Sequence, residues 1–336
     1  MANRYWIGGT GSWSAVNLLN WSTSSGGAGG ATVPTAADIA LFDANSGGGI
    51  CTLAADTTIL VLNVAAYTAG TINFGGNIVS VAGNAQIVYN GGTAPTMTGT
   101  PRVNLTYAGG TGTRTITAGI GVTEANAVSF NVVSGSDIVS MSGNGARLMN
   151  LTFQPAFTGS FTRASSGGLF GSLTMHSGMS FTATANTITF AATTAQTITT
   201  GGLTVDTALN FNGIGGSWAF QDAITQGSTR AFTFTNGTIQ LKSGVTSTVG
   251  SFATSGTTQK FLQSTLAGSQ ATLSQVTGIV STGYLTIKDI NATGGATFNA
   301  YTVNSNVNAG NNLGWDFFAQ LGRTIFTRRK EKRVLI

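Results

Sequence analysis

The stretch LTFQPAFTGSFTRASSGGLFGSLTM, Leu151 to Met175, opens on Leu-Thr-Phe and closes on Leu-Thr-Met, a step of about 22 residues. Kindred triplets stand at Leu105-Thr-Tyr107, Leu203-Thr-Val205 and Leu285-Thr-Ile287. Taken in order, the five triplets divide the chain into one double-length step, one single step, one slightly stretched step and one of about four units. The stretched step is one unit with an inserted loop. Short strands on a repeat of this order belong to solenoids or propellers, and a propeller blade needs about 40 residues. A step near 22 fits one coil of a β-helix.

Between the triplets the chain alternates. Ala127–Val133, Phe181–Ala185 and Ala231–Thr235 place apolar or aromatic residues at every second position, with small polar residues between. That is the mark of half-buried strands. The 336 residues include 48 glycines and 4 prolines, and only 7% are charged, against about 25% in ordinary globular proteins. Thr, Ser, Asn and Gly must therefore build the surface, with Gly and Asn turning the corners. A 41% hydrophobic content excludes disorder, and glycine shows no three-residue period, which excludes collagen.

The fold expected is all-β: a single-stranded right-handed parallel β-helix body over residues 50–316, an N-terminal cap over 1–49 and a docking tail over 317–336. Some 250 residues at about 22 per coil and ~4.8 Å per coil give a column roughly 50–55 Å long. Tandem β-sandwich domains are the alternative, because they also give short strands with turn signals every 8–12 residues or so.

A solenoid exposes apolar side chains and unpaired backbone at each end. Tyr5, Trp6, Trp13, Trp21 and Phe42 are read as the cap of the first coil, and Trp315 as closing the last. The Gly-Gly-Thr-Gly at Gly8–Gly11 lacks the Lys-Ser/Thr that completes a phosphate-binding loop.

Candidates for chemistry are few. His176 and Cys51 are single and far apart in sequence, so no metal spacing exists. His176 reads as a polar corner residue and Cys51 as a small buried hydrophobe. Glycan cleavage needs two carboxylates about 5–9.5 Å apart, and the pair that could stack on adjacent coils is Asp206 with Asp222. A solvated or backbone-capping role for each is the reading preferred. No enzyme activity and no cofactor are expected. No run of about 18 apolar residues exists, so no membrane span is expected, and the N-terminus lacks the basic and apolar regions of a signal peptide.

The net charge is +5, and residues 317–336 hold six Lys/Arg against one Glu. The first 316 residues therefore carry nine basic and nine acidic side chains. In the tail, Phe317, Leu321 and Ile325 share an i, i+4, i+8 face with Phe318 beside it, followed by Arg328, Arg329, Lys330, Lys332 and Arg333. These residues are the expected partner-binding site. The neutral body offers no basic groove with aromatic platforms, so nucleic acid is not an expected partner.

Three phrases carry a family likeness. RYWIGGTGSW (Arg4–Trp13), NWSTSSGGAGGATVPTAADIALFDANSG (Asn20–Gly47) and NAGNNLGWDF (Asn308–Phe317) resemble the terminal segments of tailed-bacteriophage virion structural proteins with β-helical bodies. The resemblance implies a structural role, homotrimers, other virion proteins as partners through the C-terminal tail, and location in the virion after synthesis in the host cytoplasm. Head decoration is the first role expected, because the basic tail could seat on an acidic capsid groove. A tail fibre or receptor-binding protein, with a possible host-surface glycan as partner, is the second, and it is the one the resemblance itself favours. A polysaccharide-degrading tailspike rests on Asp206 and Asp222, and a bacterial adhesin would need an export signal.

Overall fold

The computed structural model describes residues 1–318 apart from 15–17, 65, 68, 84–86, 89–95, 108, 111, 118–121 and 144. The described residues form a right-handed parallel β-solenoid of about 11 turns, with helix confined to four short 3-10 segments. Their strands make five sheets, the longest of sixteen strands and the next of nine. Along the main path of the long sheet each strand bonds to the one a full coil away, not to its chain neighbour. Tandem sandwiches, built from antiparallel strands, do not match this pairing.

Register sets the core. Leu151 pairs with Leu173, so the two triplets of the opening stretch lie on neighbouring coils. Their column runs Val79, Val103, Phe130, Leu151, Leu173, Ile198 and Phe220, and every member is buried. The coils are not equal in length: the step from Phe130 to Leu151 is shorter than that from Leu173 to Ile198, and Val103 to Phe130 is longer than either. Variation is absorbed at the corners; the longest of these three coils holds the 3-10 turn Glu124–Asn126. Because side chains alternate faces, one residue of slip would turn a whole strand inside out.

Aromatic rings stack up the middle of the column. Phe190 and Phe211 lie 4.9 Å apart and 11° from parallel, Phe211 and Phe232 are 5.1 Å apart, and Phe232 and Phe252 are 5.8 Å apart. Such pairs add ~0.5–1.5 kcal/mol each beyond the area they bury.

The solenoid starts before Ile50. Asn3–Trp6 pairs in parallel with Ile39–Leu41, and Gly11–Trp13 with Ile50–Leu53. Much of the segment expected as a separate cap is thus the first rung of the ladder itself.

Charged side chains enter the core. Arg114 is buried and holds Asp137 through Nε and Nη2, both at 2.7 Å. Its Nη2 also donates to the Ser134 carbonyl at 2.8 Å. Gly135, at φ +120°, is required beside them: a Cβ there would lie 2.6 Å from the Arg114 Nη2. Buried amides lock the corners in the same way. Asn306 donates to the carbonyls of Thr282 and Tyr301 and accepts from the Thr282 hydroxyl and the Leu285 N–H.

Two substitutions separate these contributions. Phe211→Ala should cost about 3–5 kcal/mol through the cavity it leaves. Asp137→Ala should cost about 3–5 kcal/mol by stranding the Arg114 charge. Denaturant melts check both, and replacing Arg114 and Asp137 together by Met and Leu should recover most of the second loss.

Candidate functional site

The two ends of the column are finished differently, and the contrast follows from the residues available. At the N-terminal end Trp6, Trp13, Trp21 and Phe42 are buried together. Trp21 meets Trp13 edge-on at 5.0 Å and Trp6 at 5.4 Å, and Phe42 stacks on Trp6 at 6.1 Å. Phe42 also touches Tyr67 of the next coil at 5.4 Å. Tyr5 is half-buried. The Trp6 indole N–H donates to the Gly9 carbonyl at 3.3 Å.

Trp21–Ser22 runs antiparallel across Asn3–Trp6, with Trp6 opposite Trp21. Of the described strand pairs it is the only antiparallel one. It closes the free edge of the nine-stranded sheet, a common remedy for an edge that would otherwise recruit another chain. Asp38 ties the rim, accepting from the Ala2 N–H, the Thr35 N–H and the Thr35 hydroxyl. Burial pushes the Asp38 carboxyl up, but the Thr35 bonds, Arg4 and Ala2 outweigh it and hold it below its ordinary value.

The C-terminal end has a thinner plug. Trp315 meets Phe298 edge-on at 5.0 Å and Phe252 at 6.5 Å. Phe317 is 6% exposed and belongs to the same core, and its carbonyl accepts from the Thr302 N–H. The helical spacing of the tail assigns Phe317 to a partner's slot, but it fills its own chain's. Phe318 is 80% exposed, and around the last coil Val303 is 75%, Leu313 58% and Val307 47% exposed. Val307–Asn308 and Trp315–Asp316 are the last described strands of their sheets. Leu321, Ile325, Arg328, Arg329, Lys330, Lys332 and Arg333 lie outside the described residues.

Asp289 secures this end, accepting from Asn311 Nδ2 at 2.7 Å and the Gly268 N–H at 3.0 Å. These bonds hold its carboxyl below the ordinary value against the opposing effect of burial, with Lys288 adding to them.

Each candidate for chemistry has an occupation of its own. Asp206 is paired with Arg230 at 2.6 Å. Asp222 accepts from the backbone N–H groups of Thr200, Gly201 and Gly202, capping a turn whose two glycines have positive φ. Among the described residues no hydrogen bond joins the two carboxylates. His176 Nδ1 accepts from the Gly178 N–H within its own turn. Cys51 is fully buried, and burial pushes its thiol up. No group of three or more His, Cys, Asp or Glu able to hold a metal occurs among the described residues. The apolar void beside Phe74, Val103 and Phe130 has a volume of about 20 Å³, which is room for about one water.

Sequence reading misses the buried charges Arg114, Arg163 and Lys260. Parity could have found them. Arg114 alternates in phase with Ile116, Arg163 with Phe161 and Lys260 with Leu262, all inward-facing apolar residues.

Acid should loosen both ends. Asp38 and Asp289 titrate lower in the fold than in the unfolded chain. Their stabilisation is therefore present above the ordinary carboxylate value and is lost as pH falls through the lower folded values. Melting temperature should drop below about pH 4, and the drop should shrink in the double variant Asp38→Asn, Asp289→Asn. Asp222→Ala should cost about 1–3 kcal/mol through the orphaned turn, more than Asp206→Asn, whose ion pair is partly exposed.

Set against protein-family models, curated proteins and solved structures, the chain matches none, and no helix among the described residues is long and apolar enough to cross a membrane.

Proposed function

We propose that the chain is a non-enzymatic structural protein that projects from a larger particle and is held there by its C-terminal end. The observation that carries this reading is the unequal finish of the two ends. The N-terminal rung is plugged by three tryptophans and its sheet edge is closed by an antiparallel strand. The C-terminal rung has the smaller aromatic plug and leaves Val303, Val307, Leu313 and Phe318 exposed. The N-terminal end also exposes Met1, Leu18, Leu19 and Ile50, so the plug and the charge, not exposure alone, set the ends apart. The C-terminal rung leads directly into the segment that carries the whole net charge of the chain. An exposed apolar patch beside a basic cluster suits an apolar slot rimmed by acidic groups. The patch supplies affinity, and the charges supply encounter rate and salt sensitivity.

The particle in this reading is a tailed-phage virion, on the strength of the terminal phrases RYWIGGTGSW and NAGNNLGWDF. The position proposed first is the exterior of the head, with the solenoid standing outward as an inert spacer. Support for an inert body comes from the carboxylates: Asp206 and Asp222 are each engaged in structural bonds.

The test is truncation after Phe318, which keeps Phe317 in the core. Residues 1–318 should melt like the full chain and fail to co-purify with particles. Replacing Arg328, Arg329, Lys330, Lys332 and Arg333 by Gln should weaken attachment at low ionic strength and flatten its salt dependence. If residues 1–318 still load onto particles at the full chain's copy number, the C-terminal anchor is wrong. A copy number of only a few trimers per particle would move the protein from head to fibre.

A further inference from the structure

Of the three basic side chains buried in the column, two are answered by the chain itself. Arg114 turns its Nε and Nη2 edge to the two oxygens of Asp137, each at 2.7 Å. Lys260 Nζ donates to the carbonyls of Thr258, Gly283 and Tyr284. Arg163, on the same sheet as Arg114, is the exception. It is 2% exposed, its Nη2 donates to the Ser165 carbonyl at 2.7 Å, and its Nη1 meets the Met141 sulfur at 3.1 Å. Among the described residues its Nε is buried without a partner, and so is the Ser165 hydroxyl. No carboxylate of those residues lies within ion-pair distance of it. We propose that Arg163 Nε and the Ser165 hydroxyl bind one small inorganic anion of single charge, chloride or an ion like it.

Charge decides the class. Burial lowers the Arg163 pKa to about 10, so the side chain is still a cation near neutral pH. A buried cation without a counter-charge is among the costliest groups a fold can carry, and a thioether is only a weak acceptor. Arg114 gives the internal comparison. Its Nη1 is also without a partner, but Asp137 neutralises it. The same edge of Arg163 meets no carboxylate, so the neutralising group is drawn from solution. A water molecule would pair with Nε and leave the charge as it was.

Position decides the size. The Nη2 bond to the Ser165 carbonyl brings the guanidinium against the residue whose hydroxyl is unpaired. Ala164 is exposed, and Ser165 and Ser166 are half-buried, so the site lies just beneath a corner and within reach of solvent. An ion held there by two buried donors leaves its own hydration behind. Sulfate or phosphate, doubly charged, would surrender far more hydration and leave one charge unanswered. A single small anion leaves none.

The test uses the purified full chain and needs no particle, so its outcome is independent of the attachment reading. Melting temperature would be followed as sodium chloride replaces sodium gluconate at constant ionic strength, which holds screening fixed. Binding to the folded state alone should raise it by about 2 °C for each tenfold rise in chloride above the dissociation constant. Arg163→Met removes the charge and should abolish that rise, and in gluconate it should melt at or above the parent. Ser165→Ala keeps the charge and should move the rise to chloride concentrations about threefold to tenfold higher. Arg230→Gln, at the partly exposed pair with Asp206, should respond to chloride as the parent does. Crystals grown in bromide should give an anomalous signal beside Arg163 Nε. The proposal is overturned if the parent melts alike in chloride and gluconate, if Arg163→Met keeps the parent's response, or if bromide crystals show only a water at that position. If Arg163→Met fails to fold, Ser165→Ala and the bromide signal decide.

Discussion

Everything in this molecule depends on the backbone ladder between one coil and the next. A short strand cannot satisfy its own N–H and C=O groups, and here they are met by the strands one coil before and one coil after it. The ladder repeats the same inward positions coil after coil, so a single continuous core runs from Trp6 to Phe317. It also explains the composition. Charges directly above one another at ~4.8 Å would repel, whereas Thr, Ser and Asn can hydrogen-bond up the stack, as Asn131 does with Asn104. A surface with few charges is therefore what repetition on this scale favours.

The same geometry makes the buried charges intelligible. Arg114 reaches Asp137 only if their strands keep the register in which Arg114 pairs with Val139. A slip of one residue would expose one partner and leave the other alone in the core. Lys260 is capped by the carbonyls of Thr258, Gly283 and Tyr284 and lies over the Tyr284 ring. Arg163 has less: Nη2 donates to the Ser165 carbonyl and Nη1 meets the Met141 sulfur. Burial lowers its pKa to about 10 and lowers that of Lys260 as well. For these bases the unfolded chain binds protons more readily, so their burial opposes folding near neutral pH. That opposition eases as the solution becomes alkaline, so stability rises with pH through these bases just as it does, at far lower pH, through Asp38 and Asp289.

Much of the fold is legible in the sequence, though partly for reasons that do not hold in detail. The alternation is real, and the step from Leu151 to Leu173 is a true coil. The other triplets do not share that column. Leu105 stacks under Val132 and Phe153, Thr204–Val205 lies in a different sheet, and Leu285 stacks on Lys260. An inward–Thr–inward strand is simply the commonest way to write a short half-buried strand, so the triplet reports periodicity and not register. Unequal coils, such as Val103 to Phe130 against Phe130 to Leu151, smear any single repeat because corners accept insertions that the ladder does not. The aromatic residues of the N-terminal end are legible from their crowding, since little else buries three tryptophans so close together. Phe317 misleads because its helical spacing with Leu321 and Ile325 is a local signal, whereas its burial depends on Thr302 and the coil beneath.

A column that grows by stacking has to stop twice, and each stop must cover apolar side chains and unpaired strand edges. Closing an end fully takes bulk, as the N-terminal rung shows with Trp6, Trp13, Trp21 and Phe42 packed against one another and a strand laid across the edge. Among the described residues the last rung has one tryptophan and one phenylalanine for the same task; each end still exposes large apolar side chains, Leu19 at one and Val303 at the other among them. The first 316 residues carry equal numbers of acidic and basic side chains, so they generate no long-range pull toward a charged partner. In the proposed attachment, attraction at a distance comes from the segment after Phe318, where the net charge lies, and apolar contact from the rung beside it. Among the described residues that rung has the smaller aromatic plug, so both halves of the proposed contact fall at one end of the column.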